Sequence, residues 1–78
     1  MVCMGDKVHN EVRTQRFMHG EMTQQELANR VGVTRQTVIA IEKGKYNPSV
    51  GLALRIASVF GMSVEELFSL DEEEREAI

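Results

Sequence analysis

The 78-residue chain carries a single cysteine, a single proline, a single tyrosine, two histidines and no tryptophan. Cys3 has no partner for an intramolecular disulfide, and with His9 and His19 far apart it forms none of the clustered spacings that hold a metal, so neither metal nor cofactor is expected. No cation or helix start stands beside Cys3 to activate its thiol, which reads as incidental. Apolar runs are also short. None approaches the ~20 residues that span a bilayer, and the opening MVCMGDKVHNEV lacks the basic start and continuous apolar stretch of a signal peptide. No membrane partner and a cytoplasmic location are the expectation. Paired His/Cys or His/Ser arrangements and phosphate-cradling glycine loops are missing too, so no enzyme is expected. The acidic run at 71–76 reads as a solvated helix end or tail, and one short domain leaves no room for a separate small-molecule site.

What is present describes a soluble globular chain: 42% of residues are apolar and 27% charged. One domain over 1–78 is expected, because a chain this short buries only ~60% of its unfolded surface and cannot feed two cores. Pairing with a second copy is a natural way to add stability. The net charge of −3 runs against a nucleic-acid partner until it is located. Residues 1–70 hold eight Lys/Arg against seven Asp/Glu, whereas the tail 71–78 holds one against five. The acidity belongs to the tail.

Helix-start signals recur along the chain. Thr23 precedes Glu26 by three residues and Ser63 precedes Glu66 likewise, each pair being able to form a capping box. Met22 with Leu27, and Met62 with Leu67, supply the apolar staple across each start; Thr34 repeats it with Val33 and Val38 but lacks the Glu. The pattern predicts helices at about Lys7–His19, Gln24–Val31, Arg35–Lys43, Ser49–Phe60 and Val64–Leu70, an all-α, five-helix domain requiring no strand. Glycines at 20, 32, 44 and 61 fall just past the first four ends, and Pro48 separates the third helix from the fourth. Helical spacing then gives the core: Leu27, Ala28 and Val31; Val38 and Ile41; Leu52, Ala53, Ile56, Ala57 and Phe60; and Val64, Leu67 and Phe68. The second and third helices are short and joined only by Gly32-Val33-Thr34, which suits a steep crossing around a small-residue turn.

With Val38 and Ile41 marking the buried side of the third helix, Gln36, Ile39, Ala40 and Lys43 point outward, with Arg35 at the margin of that face. Arg matches the two major-groove acceptors of guanine and Gln pairs with adenine, so this composition suits base reading. The same residues also describe an ordinary solvated face, to which Ile39 is the discordant member; a thymine methyl, a second copy or the first helix would each use it. The loop Lys43-Gly44-Lys45-Tyr46-Asn47 adds two cations, a glycine with an accessible N–H, a hydroxyl and an amide, all groups used on phosphate oxygens, and equally the parts of a helix cap and polar turn.

The stretch TQQELANRVGVTRQTVIAIEKGKYNPSVGLALRIASVFGMSVEELF resembles the phage repressor and Cro type of helix-turn-helix protein, also called the xenobiotic-response-element family, over about residues 12–68. The resemblance implies a compact lambda-repressor-like domain in which the helix at about 35–43 is the recognition helix and that at about 24–31 lies across the DNA backbone. It implies that Arg35 and Gln36 make the principal base contacts, beside Thr37, Ile39 and Ala40. It places Gln24, Lys43, Gly44 and Lys45 against the DNA backbone, Gln24 also bracing the recognition helix; Thr34, Tyr46 and Asn47 join them as candidate backbone contacts. Arg16 and Glu42 match a structural ion pair joining the first helix to the third. Two departures stand out: Gly20-Glu21-Met22 is one residue longer than the usual link, and Gln15 stands where leucine is frequent. The tail from Asp71 lies outside the match.

The expected function is that of a regulator, a repressor in the first instance, reading a pseudo-palindromic site in double-stranded DNA as a homodimer. The alternative is an antitoxin or accessory DNA-binding protein that also holds a protein partner.

Overall fold

The computed structural model describes residues 8–70. In chain order the elements are strand β1 (Val8–Asn10), helices α1 (Val12–Met18), α2 (Gln24–Val31), α3 (Arg35–Glu42), α4 (Val50–Phe60) and α5 (Val64–Leu67), and strand β2 (Phe68–Leu70).

Side-chain oxygens set the starts of four helices. Thr23, Thr34, Ser49 and Ser63 each accept from the backbone N–H three residues on, satisfying a donor that the helix itself leaves without a carbonyl. Only Ser63 completes the reciprocal box, Glu66 accepting from the Ser63 N–H at 2.8 Å. Glu26 instead pairs with Arg30 one turn on, at 2.9 Å. Ser49 is thus the cap of α4 rather than its first residue, and Lys43 the C-cap of α3 rather than its last.

Two ends depart from the expected helices, for one shared reason. The helix expected from Lys7 starts at Val12, and the helix expected to Leu70 stops at Leu67. Asn10 Oδ1 accepts from the Val12 N–H at 3.1 Å, taking over a first-turn donor, while the Glu11 N–H donates to the Leu67 carbonyl at 3.0 Å. With those groups engaged, the flanking residues extend and pair as an antiparallel ribbon, Val8 opposite Leu70, His9 opposite Ser69 and Asn10 opposite Phe68. The fold is therefore five helices closed by a small sheet, and not all-α. Cys3, Lys7 and the acidic segment 71–78 lie outside the described residues.

The core is one cluster drawn from every helix: Val12, Met22, Leu27, Ala28, Val31, Val38, Ile41, Leu52, Ile56, Ala57, Phe60 and Leu67, with Val64 and Phe68 packed on its edge. α2 and α3 pack on each other, and α4 closes over α2. Ala28, fully buried, keeps the first of these crossings close. Gly32 makes the turn between them: its φ of 76° is the left-handed conformation that a side chain resists, and the N–H groups of Gly32 and Val33 both return to the Ala28 carbonyl.

Candidate nucleic-acid interface

α3 is held at its last turn by groups from other elements and at its first turn by its own cap. At its last turn, Arg16 of α1 donates Nε to Glu42 Oε2 at 2.6 Å and Nη2 to Oε1 at 3.1 Å, a two-pronged pair with only 8% and 6% of the two side chains exposed. Gln24, at the start of α2, donates to the same carboxylate at 3.2 Å. Arg16 spends a further N–H on the Met22 carbonyl at 2.6 Å, which ties in the link before α2. Asn10 donates to the Ile41 carbonyl at 2.9 Å, sharing with the Gly44 N–H an acceptor at the end of α3. At the first turn the Thr34 hydroxyl accepts from the Thr37 N–H, and the two threonine hydroxyls lie 3.1 Å apart.

That frame leaves Arg35 and Gln36 exposed on the first turn of α3. Thr37, Ile39 and Ala40 are half-buried beside them. Ile39 is the informative one. It lines a cleft of about 700 Å³ with Arg13, Arg16 and Phe17 of α1, Gln24 and Gln25 of α2, and Arg35, Glu42 and Lys43, so it borders the space between α3 and the first helix. After α3, Lys43, Lys45 and Tyr46 are exposed, but the backbone of the loop is engaged: the Gly44 N–H donates to Ile41 at 3.0 Å and the Lys45 N–H to Ala40 at 2.9 Å. The accessible glycine N–H expected from the sequence is therefore spent on capping α3, and the loop presents side chains. Arg35 and Lys43 line that cleft together with Gln24, which bonds Glu42 from the α2 side.

Four further residues escaped the sequence reading. Asn10 and Arg55 act across 31 and 24 residues, Arg55 donating Nε to the Val31 carbonyl at the end of α2, and nothing local marks such bonds. Arg13 and Phe17 carried a signal in their spacing of four on one helix, with the Arg13 guanidinium 5.7 Å from the Phe17 ring centre. Among the described residues no cluster of three His, Cys, Asp or Glu could hold a metal, and no helix is long and apolar enough to cross a membrane.

Two short helices crossing at a Gly32 turn, the second of them braced from three sides with its first turn open, define a helix-turn-helix unit. A helix-turn-helix family model matches residues 15–67, and the chain belongs to the helix-turn-helix family of Cro and C1 type. It is 60% identical over 53 residues to an uncharacterized HTH-type transcriptional regulator of Archaeoglobus fulgidus, covering 68% of this chain and 75% of that one. It is 52% identical over 64 residues to the uncharacterized HTH-type transcriptional regulator YgzD of Bacillus subtilis, covering 82% and 96%. At 35% identity over 49 residues it is similar to the cryptic phage CTXphi transcriptional repressor RstR of Vibrio cholerae, covering 63% and 44%. The fold is shared with the hypothetical transcription factor NHTF from Neisseria, at TM-score 0.65 and 24% identity, over 86% of this chain and 76% of that one.

Proposed function

We propose that this protein is a transcriptional regulator that binds double-stranded DNA sequence-specifically, acting as a repressor. Arg35 and Gln36 read base edges in the major groove, with Thr37, Ile39 and Ala40 close against the bases. Thr34, Lys43, Lys45, Tyr46, Asn47 and Gln24 contribute to the DNA-backbone side of the interface, and Gly44 makes the turn that presents the loop. The observation that carries this reading is the open first turn of α3 on a helix clamped at its far end by Arg16, Gln24 and Asn10. Long side chains discriminate bases only from a helix whose position is fixed. The repressor assignment draws on the similarity to RstR.

One α3 offers few base contacts, so the protein acts as a homodimer on two half-sites ~34 Å apart. The α4 surface supports this. Val50 and Leu54, four residues apart, are 78% and 55% exposed, and the only charged residue of α4, Arg55, bonds the Val31 carbonyl. Such a face meets its own copy across a two-fold axis without placing like charges together.

Selection of bound duplexes from a random library tests the reading. The expected result is a sequence pattern of two related half-sites. Recovery of unselected sequence would remove specific DNA reading.

A further inference from the structure

The cleft between α1 and α3 has a chemistry of its own. Arg13, Arg16, Arg35 and Lys43 line it with one carboxylate, Glu42, so its walls carry a net charge of +3. Glu42 is already gripped by Arg16 in a two-pronged pair. That leaves Arg13, Arg35 and Lys43, none of which pairs with an acid among the described residues. Two apolar residues line the cleft with them: Ile39 from α3 and Phe17, 51% exposed, from α1. Two guanidiniums lie within cation–π range of the Phe17 ring, Arg16 at 5.4 Å and Arg13 at 5.7 Å. Arg16 is anchored in the interior, so Phe17 stands beside a fixed cation and in turn orients the unanchored one. α2 also begins at this cleft, through Thr23, Gln24 and Gln25, where first-turn N–H groups have no helical carbonyl to bond.

A cationic cleft that also holds an exposed aromatic and an isoleucine, beside the first turn of α3, fits a sugar-phosphate chain. We propose that this cleft takes a phosphodiester of the DNA backbone flanking the bases read by α3, with Arg13 as a phosphate contact from α1 and Phe17 as its positioning residue, packing against the deoxyribose. The proposal rests on the DNA-binding reading above and adds to it a third contributor, α1, beside α3 and the loop after it. Arg13 carries no sequence information. It adds one released counterion to binding of every duplex and fixes the angle at which α3 enters the groove.

Each phosphate contact contributes about 0.9 to the slope of log affinity against log salt. Arg13→Ala therefore lowers the slope by ~0.9 and weakens binding ~8-fold at 0.1 M salt, on the selected site and on random duplex alike, with the loss closing as salt approaches 1 M. Phe17→Leu keeps the charge and the slope but weakens binding at every salt concentration. Arg30→Ala, which removes an equal charge from the exposed Glu26 pair on α2, is the control for net charge and leaves the slope unchanged. The measurement is anisotropy of a labelled duplex titrated with the full chain at several salt concentrations, with thermal melts to verify folding. An unchanged slope for Arg13→Ala, or an equal drop for Arg30→Ala, overturns the assignment; if Arg35→Ala and Lys45→Ala still weaken binding, the DNA reading stands without it. If the unaltered chain shows no salt-dependent binding to any duplex, the DNA reading fails and the proposal with it.

Discussion

Glu42 shares its two carboxylate oxygens among three donors, Arg16 Nε at 2.6 Å, Arg16 Nη2 at 3.1 Å and Gln24 Nε2 at 3.2 Å, so one buried side chain joins α1, α2 and the last turn of α3. A buried pair of this kind adds little net stability against an apolar replacement, yet breaking it leaves an unpaired charge in the interior. Arg16→Ala or Glu42→Ala should each cost ~3–5 kcal/mol in denaturant unfolding, whereas the joint change Arg16→Met with Glu42→Leu should cost clearly less than either. Single losses below ~1 kcal/mol would mean that the charges are solvated in solution.

The helix starts were legible because the signal is local: a hydroxyl and the N–H it caps lie three residues apart, and Thr23, Thr34 and Ser63 cap as such spacings imply, while Ser49, read as the first residue of its helix, caps it instead. Leu27, Val31, Val38, Ile41, Leu52, Ile56 and Phe60 were legible from period alone, and all are buried. The β1–β2 ribbon was not. Its strands are three residues each and pair across most of the chain, and Phe68–Leu70 continues the apolar pattern of α5 without a break. Glu26 shows a different limit. Its spacing from Thr23 fits a reciprocal box, but Arg30 one turn ahead offers a charged partner and takes the carboxylate. In the candidate site, Arg35 and Gln36 stood out by residue type, whereas the cleft that Ile39 and Phe17 both line depends on how α1 lies against α3, which no single-helix projection contains.

Arg35 and Lys45 should behave differently on DNA, because one is assigned to a base edge and the other to a phosphate. Arg35→Ala should cost ~1–3 kcal/mol on the selected site and relax its sequence preference. Lys45→Ala should weaken specific and random duplexes alike and lower the salt slope by about one unit. Both side chains are exposed, so neither change should lower the melting temperature appreciably. Equal losses for Arg35→Ala on specific and random DNA would reassign it to the phosphates.

The link between α1 and α2 holds a strained residue. Gly20 and Glu21 are consecutive left-handed residues, at φ 81° and 54°, and the Met22 N–H reaches back to the Arg16 carbonyl. The comparable closures after α3 and α4, Lys45 to Ala40 and Met62 to Ala57, span one residue fewer with glycine alone left-handed. The extra residue thus places a side chain where it costs ~1–2 kcal/mol. Glu21→Gly should relieve that strain, offset in part by the freer unfolded chain, for a net gain of ~0.5–1 kcal/mol and a rise of roughly 2–8 °C in melting temperature. A fall in melting temperature would show that the Glu21 side chain contributes more than its backbone strain costs.

Self-association through α4 makes the remaining prediction. Leu54 is more than half exposed on a helix that places Val50 one turn before it, so replacing it should leave the monomer fold intact. In a two-fold interface centred on this face, Leu54→Glu puts a carboxylate from each copy into an apolar contact, and sets the two against one another where Leu54 lies on the axis. In sedimentation the unaltered chain should run as a dimer and Leu54→Glu as a monomer with the same melting transition at low concentration. On DNA the variant should keep its affinity for a single half-site and lose most of its preference for the two-half-site operator, since the second half-site no longer binds as part of one body. A Leu54→Glu protein that remains dimeric would move the interface off α4. A stoichiometric protein partner on the unaltered chain, lost in the variant, would assign the same face to the antitoxin or accessory role instead.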